Sequence, residues 1–257
     1  MRARDPADAP GWDVLDAALA LAVKRLGDRL AAAYAIGSLG HGSFSAYASD
    51  VDLALLIDDA EPIRDIVANI AQEVATSGST LSRRLSVFHG PWRRLAEPSA
   101  TARFPAIDRL DLVDSGVLVH GSEIRGSVPA PDREEVIDEA VAFTATRTTL
   151  SDLASTGDVR KVTKAVMSPV RLAALVETGR VMGNDAAAQR YEGEFVTLVA
   201  DAIRWRHDRT AGQVSQADLL GLYLEQLGRV RERDDVSSAR LLDPLLTKLR
   251  SEEQNVA

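Results

Sequence analysis

Hydrophobic and polar positions change period several times along this 257-residue chain, and each change marks a new element. Leu15, Leu19, Leu21, Val23, Leu26 and Leu30 recur at spacings near three and four, which predicts an amphipathic helix over about 12–30. From Ala32 the chain turns into a short apolar run that ends at Gly37, and a second run, ending at Ile57 and carrying Asp50 and Asp52 near its start, reads as another strand. Between them lies a loop rich in Gly and Ser. A turn over 58–62 places Pro62 at a first helical position, after which Ile63, Ile66, Val67, Ile70 and Val74 mark one face of a helix. Arg84 to Phe88 is the next strand, stopped by His89-Gly90-Pro91; a short helix over 104–113 follows, and 116–121 reads as a turn leading into a last, short strand.

Val128-Pro129-Ala130-Pro131 reads as a linker, because two prolines hold the backbone extended and forbid a helix through them. Beyond it the period is helical throughout, over 133–153, 160–182, 185–206, 216–233 and 239–250. No solenoid repeat stands out, so a bundle is the simpler packing. The expected architecture is an α/β domain with a small mixed sheet over 1–128 and an all-α helical bundle over 132–257.

Composition changes this picture little but narrows the partners. Apolar residues make up 46% and charged residues 26%, proportions of a globular chain with a substantial core. A formal net charge of −8 counts against a nucleic-acid partner, which calls for basic patches, and suits a small cationic substrate. With no cysteine, disulfides and thiolate metal sites are excluded. The first residues lack the apolar core of a signal peptide, and Lys24, Arg25, Asp28 and Arg29 interrupt the only long apolar stretch, so no membrane association is expected and the cytoplasm is the expected compartment.

The candidate chemistry lies between Tyr34 and Ile57. In an extended strand Asp50 and Asp52 project from one side while Val51 and Leu53 face the other. Two carboxylates so close call for a cation, and their hard oxygens suit Mg²⁺ or Mn²⁺. Gly37 and Ser38 stand at the end of the first strand, where a tight turn offers backbone N–H groups and a hydroxyl to a polyphosphate. A metal beside a triphosphate points to nucleotidyl transfer.

Gly37-Ser38, then Gly42, then Ser49-Asp50-Val51-Asp52-Leu53 resemble the signature of the DNA polymerase beta-type nucleotidyltransferase superfamily. The likeness is greatest to its small bacterial members: the aminoglycoside (streptomycin and spectinomycin, or kanamycin) adenylyltransferases and the minimal nucleotidyltransferases. Leu112 to Gly121 resembles the stretch that closes the catalytic domain in these enzymes, and Val170 to Ala187 is similar to part of their C-terminal helical domain. The resemblance implies transfer of AMP from ATP to a hydroxyl of a small, aminoglycoside-like acceptor, with the helical domain walling off the acceptor cleft. It implies Mg²⁺ on Asp50 and Asp52, and nucleotide contacts from Gly37, Ser38 and Ser49.

The chain departs from that family in two places. A third carboxylate is expected on the strand after the crossover helix, and Ser86 stands at the matching position. Asp111 and Asp114 are then the candidates for a base reaching the site from before the last strand. His89 falls on the opposite face from Ser86, and Glu134 and Glu135 suit a helix N-terminus. The family's Ser-Lys pair is replaced by Asn184-Asp185, which exchanges a cation for an anion. Arg204-Trp205-Arg206-His207 reads as a helix end whose cations complement the dipole. These departures keep two other readings open: a nucleotide-binding pseudoenzyme or regulatory protein, and a toxin–antitoxin-type transferase acting on protein or tRNA.

Overall fold

In the computed structural model the structure describes residues 4–58, 63–76, 78–95, 103–145, 157–209, 212–233 and 239–256. The turn expected over 58–62, with Pro62, lies almost wholly outside the described residues, as does the end of the helix expected over 133–153. The chain divides into two compact units, Met1–Pro131 and Asp132–Ala257.

The first unit opens with helix α1 (Ala9–Leu26). It stops short of the expected end because Gly27 takes a φ of +54°, reversing the chain into β1 (Leu30–Ile36). A one-turn helix α2 (Gly37–His41) follows, then β2 (Val51–Ile57), α3 (Arg64–Thr76), β3 (Leu85–Pro91), α4 (Ala106–Ser115) and β4 (Val117–Gly121). The His89-Gly90-Pro91 segment does not end β3 but continues it, since these residues pair in register with Leu55, Leu56 and Ile57. The sheet order is β3-β2-β1-β4. β1 is antiparallel to β2 and β4, while β2 and β3 run parallel across the α3 crossover.

Period-two alternation sorts this sheet into two packed faces. Leu53, Leu55 and Ile57 of β2 pack with α1 and α3 through Leu15, Ala18, Val67 and Ile70. Ala54 and Leu56 face the other way, with Tyr34 and Ile36, and are covered by Phe88, Phe104, Leu112 and Val128. That second face carries Asp52 at its upper edge, where Asp52 pairs with Ile36, the last residue of β1.

The second unit is helical: α5 (Arg133–Ala145), α6 (Val159–Thr178), α7 (Asn184–Gln189), α8 (Val196–Asp208), α9 (Gln216–Arg233) and α10 (Ala239–Val256). The single helix expected over 185–206 is two, α7 and α8, separated by a loop that Glu225 of α9 holds. Its carboxylate accepts from the Tyr191 hydroxyl and from Glu194 N–H, both at 2.9 Å. A Cβ on Gly193 would lie 2.1 Å from the same carboxylate, so a larger residue there would have to displace it. Among the described residues no helix is long and apolar enough to cross a membrane.

Candidate active site

The geometry of the site starts at Gly37. Its φ of +62° lies in the left-handed region, and a Cβ there would fall 2.3 Å from Asp52 Oδ2. Two independent constraints thus require glycine, and the second places the turn directly against the carboxylate. Ser38 follows, its hydroxyl donating to the Asp50 carbonyl at 3.4 Å, while Ser43 N–H donates to the Ser38 carbonyl at 2.9 Å. Gly42, with a φ of +70°, caps α2 in the left-handed conformation. Turn and acidic strand are therefore one structure, with Asp50 just before β2 and Asp52 within it, both half-buried.

Ser49 stands just before Asp50. It is buried, and its hydroxyl accepts from Ser45 N–H at 3.0 Å while its own N–H donates to the Ser45 carbonyl at 2.9 Å. The hydroxyl shapes the loop before Asp50 from within.

Of the candidate bases, Ser86 sits opposite Asp52 in the β2–β3 register and is half-buried, so the position beside Asp52 holds a hydroxyl. Asp111 is 4% exposed. Its Oδ2 accepts from Gly37 N–H at 2.8 Å, and its Oδ1 lies 2.9 Å from His41 Nε2 and accepts from the Ser115 hydroxyl. Burial alone would push this carboxyl up, but His41, Ser115 and the Gly37 amide together hold it below its ordinary value. Asp114, one turn further along α4, is half-buried.

His89 lies on the α3 face with Val87, away from Asp52, as its parity dictates. It is 3% exposed, and burial, with the charges of Arg103 and Arg64, lowers its pKa to about 4. The folded protein keeps this imidazole neutral, whereas an unfolded chain protonates it near pH 6.5. Between those values the unfolded state binds more protons, so stability falls as pH drops. The expected loss from pH 7 to pH 5 is about 2 kcal/mol from this residue. Urea unfolding at the two pH values checks it, and a His89→Gln variant should lose that part of the slope.

In the helical unit, Asp185 opens α7 but does not face solvent alone. Its Oδ2 accepts from Arg206 Nη1 at 2.7 Å, and its Oδ1 lies 3.2 Å from His207 Nε2. Arg206 and His207 lie in the last turn of α8, the helix end read from the sequence, and Arg206 is fully buried there. Burial lowers the guanidinium pKa, Asp185 opposes that shift, and Arg171 adds to it. No local pattern in the sequence announced this pair, whose members are 21 positions apart.

Compared with known proteins, the sequence matches no family model and no curated protein. Among solved structures, the chain is similar to the spectinomycin adenyltransferase AAD(9) from Enterococcus faecialis, crystallised with ATP and spectinomycin. The TM-score is 0.62 at 13% sequence identity, over 86% of this chain and 99% of that one. The fold is that of a nucleotidyltransferase with a helical C-terminal part. At this identity the likeness speaks for architecture, and the chemistry rests on the residues. Asp50 and Asp52 lie at the Gly37 turn, and among the described residues no cluster of three or more metal-ligating side chains occurs. Two carboxylates nonetheless fit Mg²⁺, which keeps several waters and takes its remaining ligands from substrate phosphates.

Proposed function

We propose that this protein transfers AMP from ATP to a hydroxyl of a small acceptor, releasing pyrophosphate. The observation that carries this reading is the contact between the Gly37-Ser38 turn and Asp52, with Ser38 also bonded to the Asp50 carbonyl. That contact joins a turn suited to phosphate with two carboxylates suited to a divalent metal. Asp50 and Asp52 would hold Mg²⁺, and the turn that Gly37 makes would present Ser38 to the triphosphate. Bound there, Mg²⁺ neutralises phosphate charge. The acceptor oxygen bonds to the α-phosphorus as the bond to pyrophosphate breaks. Ser86 cannot hold the released proton at neutral pH, so it leaves to a site carboxylate or to water.

The acceptor we favour is an aminoglycoside-like antibiotic. Its support is the solved neighbour, whose structure holds ATP and spectinomycin, together with a net charge of −8 that suits a polycation. Such a chain would confer antibiotic resistance from the cytoplasm. Ser86 opposite Asp52 favours a second reading, a nucleotide-binding protein that has lost turnover.

The two are separated by incubating the protein with Mg²⁺, ATP and a panel of aminoglycosides and weighing the acceptors by mass spectrometry. An acceptor heavier by one AMP supports the transferase. ATP binding with no modified acceptor across the panel supports the inactive protein.

A further inference from the structure

Helix α2 spans only Gly37–His41, too short to be stable by its own hydrogen bonds. One buried carboxylate engages both of its ends. Asp111 Oδ2 accepts from the first amide, Gly37 N–H, at 2.8 Å, and Oδ1 lies 2.9 Å from Nε2 of the last residue, His41. Ser115, one turn along α4, donates its hydroxyl to the same Oδ1 and to the Asp111 carbonyl, fixing the carboxylate in turn. Gly40 completes the seat, since a Cβ there would come within 3.1 Å of the Ala35 and Ser115 carbonyls.

We infer that Asp111 is a positioning residue for nucleotide binding. It holds the Gly37-Ser38 turn at the distance from Asp52 that the triphosphate and metal require. This inference rests on the nucleotidyltransferase reading and adds a role to it. The coupling follows from contact: the turn sits against Asp52 Oδ2 so closely that a Cβ on Gly37 would overlap it, so movement of the turn displaces that carboxylate. The Gly37 amide is already committed to Asp111, which leaves the following residue, Ser38, to meet phosphate through its N–H and hydroxyl. His41 places a cationic or hydrogen-bonding group against Asp111, limiting the repulsion that a buried carboxylate behind the turn would exert on an incoming polyanion. Asp111 acts through the turn and never touches substrate.

The test measures binding of a non-hydrolysable ATP analogue with Mg²⁺, by calorimetry, to the full-length protein and four variants. Asp111→Asn keeps the size but removes the charge, and the dissociation constant should rise about tenfold. His41→Ala should weaken binding about threefold, and His41→Gln, which restores a donor, should recover most of it. Val67→Ala, in α3 on the far face of the sheet, controls for lost stability: at a matched fall in melting temperature its affinity should equal that of the parent. If Asp111→Asn and His41→Ala both bind like the parent protein, the inference is overturned while the nucleotide reading stands. If Val67→Ala loses as much affinity as Asp111→Asn, the effect is one of stability and the inference is again overturned. If the parent protein does not bind the ATP analogue, both fall together.

Discussion

Replacing Asp185 by alanine is expected to destabilise the helical unit by about 3 kcal/mol, because it leaves the fully buried Arg206 guanidinium short of its counter-charge. In a unit of this size that corresponds to a fall of roughly 10 °C in melting temperature. The loss comes from the uncompensated charge rather than from the intrinsic worth of the pair. A double variant, Asp185→Ala with Arg206→Met, should therefore regain much of what the single change loses. Thermal unfolding of the parent and both variants checks this. An Asp185→Ala protein within about 0.5 kcal/mol of the parent would show that the pair is not a buried ion pair. The result bears on function, since it assigns Asp185 a structural task. The negative charge that stands in place of the resembled family's Ser-Lys pair meets Arg206 and His207.

The second large effect belongs to the acidic pair. Asp50→Asn and Asp52→Asn each preserve side-chain volume but weaken a hard-oxygen ligand, and each should lower the rate of nucleotidyl transfer at least about a hundredfold. Both residues are half-buried at the edge of the sheet, so melting temperatures should move far less than the rate does. A comparison with Asp111→Asn separates the roles. Loss at Asp50 or Asp52 falls on turnover, whereas loss at Asp111 falls first on nucleotide affinity.

Much of this architecture was legible in the chain, and the parts that were not share a physical cause. The strands and α3 announce themselves through period alone, because β2 is buried on both faces and α3 on one. The juxtaposition of Gly37 with Asp52 was readable as a motif, and the β1–β2 register supplies the mechanism by pairing Ile36 with Asp52. What escaped was decided by partners far along the chain. Asp111 reads as a mobile base in the sequence, yet it is tied to Gly37 across 74 positions. The break between α7 and α8 depends on Glu225, 31 positions beyond Glu194. The resemblance implies a nucleotide contact for Ser49, and the structure adds a bond the sequence does not announce, from Ser45 N–H to its hydroxyl. Ser86 is the reverse case: its position came from counting along the strand, and the parallel register pairs it with Asp52.

The central claim is that Asp50 and Asp52 at the Gly37 turn form a metal-dependent nucleotidyl-transfer site. Pyrophosphate release from ATP, measured with Mg²⁺ and an acceptor panel for the parent protein and for Asp50→Asn, tests it most directly. The account predicts acceptor-dependent release by the parent that falls at least about a hundredfold in Asp50→Asn. Release that survives Asp50→Asn undiminished would contradict it.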